Sequence, residues 1–224
     1  MAKSSPNNIR EDVVARLSRL SVAVVADVLD RLGFRSQVMN HRIRPLTERH
    51  AIAGRAYPVQ AVPMSVISDN PYEHEIAAID AVPSGTVVVI ATGGCYDAAI
   101  WGELLCTRAA VRGATGAVID GAVRDLSGLN ELNYPTFAAA VSASDSRGRL
   151  AVVSYGSPIA CAGVSVSSSD LVLGDLDGVV VVPSGAAEDV LVEAEAKRSK
   201  EHIAHELLAD GASIADVYAR HHVL

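Results

Sequence analysis

The sequence is poor in the residues on which several functional classes depend. Aromatic residues make up 4% of the 224 positions, so the core must be built from Val, Ala, Leu and Ile. There are only three lysines, Lys3, Lys197 and Lys200, and none follows a core-like strand, which argues against Schiff-base chemistry. The three cysteines, Cys95, Cys106 and Cys161, include no CxxC pair, and their odd number favours reduced thiols over a disulfide framework. Cys106 sits in an apolar helical pattern and reads as a small core residue. Positive charge is scarce as well: the formal net charge is −7 and no basic stripe is visible, so nucleic acid is not an expected partner. Apolar runs such as 87–91 and 179–182 are strand-length, far short of the ~20 residues a membrane-spanning helix needs. The opening MAKSSPNNIRED has no apolar signal core. A cytoplasmic protein with no membrane partner is expected. No P-loop, GxGxxG, GxSxG or HExxH motif is present, which removes the usual signatures of nucleotide binding, serine hydrolysis and zinc proteolysis.

What is present alternates between two periods. Residues 1–8 read as a loose tail and 9–224 as one domain. Ser21 is a candidate N-cap, followed by apolar residues at helical spacing and by Gly33 at the stop position. Residues 53–62 read as a strand, 73–82 as a short helix with Ile76 and Ile79 inward, and TVVVIAT at 86–92 as a strand buried on both faces. A helix near 102–112 precedes a second buried strand, GAVIDG at 116–121. Strands are expected at 150–154, 159–166, 170–173 and 179–182, then a charged helix over about 185–209 and a short terminal one. Strands mixed with helices predict an α/β fold, a single layered domain with mixed sheets and flanking helices.

One stretch, residues 93–129, concentrates the chemistry. The strand at 116–120 ends in Gly121 and then delivers Arg124 and Asp125, and strand ends are where α/β folds hold ligands. Upstream, Gly102 and Glu103 open a helix whose first amides attract a carboxylate. An arginine fork suits a planar carboxylate, and the neighbouring Asp125 suits a hard cation, Mg²⁺ or Mn²⁺. The plain alternatives are a surface Arg–Asp pair and ordinary helix capping, and spacing alone leaves both open. His202 and His205 lie three apart on the last long helix without a metal motif. His41, His50, His221 and His222 show no ligand spacing. His74 lies in a segment that could approach the pocket. Asp175 and Asp177 flank a turn that needs no catalytic reading.

GELLCTRAAVRGATGAVIDGAVRD resembles the family of 4-hydroxy-4-methyl-2-oxoglutarate aldolases, which includes regulators of ribonuclease E activity. The resemblance covers roughly residues 20–220 and includes GRAYPV, PSGTVVVI and GDLDGVVVVP. It implies a β/β/α-type layered fold assembled as trimers or hexamers, with sites between subunits. It implies that Arg124 binds the carboxylate and carbonyl of pyruvate, that Asp125 is the metal ligand, and that the amides of Gly102, Glu103, Leu104 and Leu105 hold the substrate carboxylate. Glu103 matches an acid that holds water on the metal; the ribonuclease regulators lack it, so its presence favours an enzyme. Glu201 is the best match for a further water-holding acid from a neighbouring subunit, which the C-terminal helices, about 185–224, would reach. The implied activity is a divalent-metal-dependent retro-aldol cleavage of a small 4-hydroxy-2-oxo acid to pyruvate, with oxaloacetate decarboxylation through the same enolate. The alternative is a non-catalytic protein that binds and inhibits a ribonuclease.

Overall fold

The computed structural model describes residues 11–223. The expected tail at 1–8 lies outside them, as does Lys3. A nine-stranded mixed sheet runs β1 (Arg44–Pro45), β6 (Thr136–Val141), β5 (Gly116–Val123), β3 (Thr86–Ala91), β2 (Ile52–Pro63), β10 (Leu171–Asp175), β11 (Gly178–Val182). Off this path, β4 (Ala99–Trp101) pairs with β5 and β7 (Leu150–Tyr155) with β2. β8 (Ile159–Cys161) and β9 (Val164–Val166) form a separate hairpin. Strands β2, β3, β5 and β6 are parallel, whereas β10 and β11 are antiparallel. The two edges meet: Nη1 of Arg44 on β1 donates to the carbonyl of Asp177 (2.7 Å) in the β10–β11 turn.

The side-chain alternation of β3 shows why the sheet closes on itself. Every residue of TVVVIA is buried. Val88 and Ile90 pack under α3 (Glu73–Asp80), α4 (Glu103–Val111) and α5 (Leu126–Glu131). Val87, Val89 and Ala91 face an interior filled by Phe137, the β8–β9 hairpin, Val172 and Val181. Each fully buried valine contributes about 1.5–3 kcal/mol, so such strands anchor both layers. The outer faces of β10 and β11 (Leu171, Leu173, Val180, Val182) are covered by α1 (Glu11–Leu17), α2 (Val22–Arg31) and α6 (Ala187–Ala209). A 3₁₀ turn, Ser184–Ala186, leads into α6, and α7 (Ile214–His221) packs on its far end through Ala204, Val217 and Val223.

The capping signals act as the sequence implies. Ser21 Oγ accepts from the Val24 N–H, and Gly33 adopts φ +92° beyond the end of α2. Asp175 turns out to be structural: one carboxylate oxygen accepts from the Val22 N–H at the start of α2 and the other from the Asp177 N–H. Cys106 is fully buried.

Two expectations need correction. Ile79 is inward, but Ile76 is 55% exposed, because it lines the cleft shared with Arg124 and Asp145 rather than the core. The run 159–166 is two short strands rather than one, broken where Ala162 and Gly163 take positive φ. Strands β4 and β6 and helices α1 and α5 were not expected. They are short, and TFAAAV of β6 carries three alanines, poor strand formers, whose pairing is imposed by β5.

Candidate active site

Three parallel strands deliver their C-terminal ends to one place. After β5 the chain turns at once: Asp125 adopts φ 59°, a left-handed conformation that aspartate tolerates better than most residues, and this starts α5. β4 lies beside the end of β5, with the Arg124 N–H donating to the Trp101 carbonyl at 2.9 Å. On its other side β4 receives the loop after β6: Ala99 bridges to Asp145, and its N–H donates to the Ser144 carbonyl at 2.8 Å. The short strand thus places Gly102, at its exit, between Arg124–Asp125 and Asp145–Ser146.

These groups line a cleft of ≈ 370 Å³ whose other walls are Tyr72, Glu75 and Ile76 of the α3 region and Ile100, Trp101, Leu104 and Leu105. Arg124 is flanked by two carboxylates, with Nε 3.7 Å from Asp125 Oδ2 and Nη2 3.4 Å from Asp145 Oδ1. Both separations exceed the roughly 2.7–2.9 Å of a charge-assisted hydrogen bond, so charge orients the guanidinium without saturating its fork. Asp145 is itself fastened by the Tyr72 hydroxyl, which donates to Oδ2, and by the Ser146 N–H, which donates to Oδ1 at 2.9 Å. Burial alone would raise the pKa of this carboxyl, but the Tyr72 hydrogen bond, the Arg124 charge and the backbone N–H groups of Ser146 and Arg147 outweigh it, so Asp145 is held below its ordinary range. Glu75 behaves oppositely. Burial dominates and pushes its carboxyl up to about 7, only partly opposed by the Ser146 hydroxyl, which donates at 3.4 Å.

Gly102 leaves room for a close approach of the two site side chains. A Cβ there would lie 2.7 Å from Asp125 Oδ2 and 3.2 Å from Arg124 Cγ. The missing side chain lets the Glu103 N–H donate to Asp125 Oδ2 at 3.3 Å. One first-turn amide of α4 therefore serves the aspartate, whereas Leu104 and Leu105 have no carbonyl one turn upstream to receive their N–H groups. The Glu103 side chain is exposed and lies along α5: a Cβ on Gly128 would come 2.5 Å from its carboxyl.

The structure brings together Gly102, Glu103, Leu104, Leu105, Arg124 and Asp125. It does not bring Glu201 to them within one chain. Glu201 lies on α6, paired with Lys197 at 2.8 Å, and Lys197 also meets Asp27 at 3.1 Å. His74 is exposed and outside the cleft lining, although its neighbours Tyr72 and Glu75 belong to it. His202 is exposed and meets Glu206. Tyr72, Glu75, Asp145 and Ser146 went unnoticed in the sequence. They lie outside the 93–129 stretch, and no spacing rule links them to it.

Among the described residues no group of three His, Cys, Asp or Glu side chains converges in a metal cage. The donor set at Asp125 is one exposed carboxylate facing open cleft, with the space around it kept clear by Gly102. That set fits a hard cation that retains waters and takes its remaining oxygens from a substrate, and it does not suit a four-ligand zinc site.

Comparison with known proteins shows the family. A family model described as "RraA-like: Aldolase/RraA" matches residues 22–181. A protein of Halalkalibacterium halodurans named "Putative 4-hydroxy-4-methyl-2-oxoglutarate aldolase" is 30% identical over 92% of this chain and 93% of its own length. Protein DlpA of Legionella pneumophila is 28% identical over 91% of this chain, which spans only 32% of that longer protein. The crystal structure of Streptomyces coelicolor RraAS2, described as an unusual member of the RNase ES inhibitor RraA family, superposes with a TM-score of 0.82 at 26% identity, covering 89% of this chain and 99% of that one.

Proposed function

Because the chain belongs to the RraA-like family, Aldolase/RraA, we propose that it is a divalent-metal-dependent lyase. Its reaction would cleave a small 4-hydroxy-2-oxo acid to pyruvate and a second carbonyl compound, with oxaloacetate decarboxylation as a related activity. The observation that carries this reading is the convergence of Arg124, Asp125 and the amide end of α4 on one cleft at the C-terminal ends of parallel strands. In the cleavage the 4-hydroxyl loses its proton, the C3–C4 bond breaks, and its electrons pass to the 2-oxo oxygen. A proton then adds at C3 to give pyruvate.

A divalent ion, Mg²⁺ or Mn²⁺, held at Asp125 would supply Lewis acidity toward the 2-oxo group and carboxylate. Arg124 binds the same oxygens with its fork and stabilises the charge that develops on the enolate. The first-turn amides of Leu104 and Leu105 hold the carboxylate. Glu103, whose side chain is exposed at the start of α4, would accept the hydroxyl proton through water. Leu104 is 84% exposed and Ile76 55% exposed at the cleft mouth, which favours coverage by a second copy in a trimer or hexamer. Glu201 of such a copy would add an acid to the site.

The test is pyruvate release, coupled to lactate dehydrogenase, from 4-hydroxy-4-methyl-2-oxoglutarate, 4-hydroxy-2-oxopentanoate and oxaloacetate, with Mg²⁺ and with EDTA. Asp125→Asn is the informative variant, because asparagine keeps the left-handed backbone while removing the charge. Metal-dependent release lost in that variant supports the lyase. Folded protein with no turnover of any of the three would favour the ribonuclease-binding alternative.

A further inference from the structure

The proposed reaction needs a proton at C3, and few groups in the cleft can supply one. The ionisable side chains among its described lining residues are Tyr72, Glu75, Arg124, Asp125 and Asp145. A guanidinium does not give up its proton in a protein. Asp145 stays a carboxylate, because the Tyr72 hydrogen bond and the Arg124 charge outweigh its burial. The hydrogen bond that Tyr72 donates to Asp145 raises the pKa of the phenol, which keeps its proton. Asp125 is taken by the cation in the reading above, and Glu103 is exposed and outside the lining. Glu75 remains. Its Oε2 accepts from the Ser146 hydroxyl at 3.4 Å, the Ser146 N–H donates to Asp145 Oδ1 at 2.9 Å, and that oxygen lies 3.4 Å from Arg124 Nη2. Ser146 thus links the Glu75 carboxyl to the Asp145–Arg124 pair, and the Arg124 charge acts on it. Burial pushes this carboxyl up to about 7, so its acid and base forms are both populated near neutral pH.

We infer that Glu75 is a catalytic residue of this cleft, the acid that protonates C3 of the pyruvate enolate. The inference rests on the reading above and names the proton donor that reading leaves open. In this step the Glu75 O–H bond breaks and a C3–H bond forms. The electron pair comes from the C2–C3 double bond of the enolate, the C2 carbonyl is restored, and Glu75 is left as a carboxylate. The proton taken from the 4-hydroxyl returns to Glu75 through water, so a full turnover of aldol cleavage neither consumes nor releases protons. In oxaloacetate decarboxylation there is no hydroxyl proton to return, and Glu75 reloads from solvent after CO₂ leaves. One acid serves both reactions because both pass through the same enolate. Run backwards, the step takes a proton from the methyl group of pyruvate and leaves it on Glu75.

The experiment follows that reverse step alone. The Mg²⁺-loaded full chain is incubated with pyruvate in D₂O, exchange of the methyl protons is read by NMR, and pyruvate affinity is read by calorimetry. Glu75→Gln keeps the size of the side chain and an oxygen that accepts from Ser146, but it cannot take up the proton. We expect Glu75→Gln to bind pyruvate within about threefold of wild type while its exchange falls about 100-fold or more. Exchange in Glu75→Gln within about threefold of wild type overturns the inference, while the oxo-acid reading survives, because the enolate still forms. Wild-type protein that binds pyruvate without exchanging its methyl protons likewise overturns it and leaves pyruvate binding standing. A loss of pyruvate binding in Glu75→Gln that matches the loss of exchange also overturns it, because Glu75 would then act in binding rather than in proton transfer. If wild-type protein neither binds pyruvate nor exchanges its protons, both readings fall.

Discussion

Nη2 of Arg124 stands 3.4 Å from Oδ1 of Asp145, on a loop that follows a different strand. The aspartate is in turn fixed by the Tyr72 hydroxyl. Asp145 is thus a positioning residue for the arginine fork. Asp145→Asn should keep the fold and lower kcat/KM for pyruvate release by about 10- to 100-fold, since a misdirected fork loses the enolate contact. Tyr72→Phe should reproduce part of that loss with unchanged thermal stability. Wild-type kinetics in both variants would show that the arginine orients itself.

Arg124→Lys is expected to remove most activity, because a point charge cannot contact two oxygens in one plane. The effect should be on kcat as well as KM, since the enolate charge exists only after bond cleavage. A lysine variant with near wild-type turnover would remove Arg124 from the chemistry.

Gly102→Ala places a methyl group 2.7 Å from Asp125 Oδ2, a position that requires the carboxylate to move. Activity should fall by about 100-fold with a small change in melting temperature, because the site is at a helix start. Titration with Mn²⁺ followed by electron paramagnetic resonance reads the aspartate directly. Mn²⁺ affinity equal to wild type would mean that Asp125 does not hold the ion.

Gly128→Ala acts on Glu103 from beneath, since the added Cβ would come 2.5 Å from its carboxyl. Glu103 is exposed and can swing away, so the cost to stability is small. Activity should drop, and the drop should vanish when Glu103→Ala is already present, as a double-mutant cycle measures. Additive losses would show that Gly128 acts by another route.

Glu75 gives the stability a pH dependence of defined sign. Burial lifts its carboxyl from the ordinary 4.5 to about 7, so between these values the folded chain binds more protons than the unfolded chain. Its contribution is full below pH 4.5, declines as pH rises towards 7, and is lost above. The change is at most about 3 kcal/mol. Urea titrations of wild type and Glu75→Gln between pH 5 and pH 8 should diverge, with the variant gaining relative stability at the alkaline end. Parallel curves would exclude Glu75 as the source.

The sequence by itself determined the elements with strong local signals and the segment that carries the chemistry. Ser21 and Gly33 bound α2 because capping is a local hydrogen-bond and backbone problem. TVVVIA reads as a doubly buried strand because a β-branched run has no polar face to expose. Gly102, Glu103, Arg124 and Asp125 could be singled out because a helix start and a strand end are both local events. The tertiary structure alone decided what faces them. Tyr72, Glu75, Asp145 and Ser146 reach the cleft through the packing of α3 and through the three-residue β4, which bridges Ala99 to Asp145. β6 forms from alanines because its neighbour imposes the pairing, and Ile76 is left exposed because it lines the cleft rather than the core. These are long-range contacts, fixed by closure of the whole sheet, and no periodicity along the chain records them.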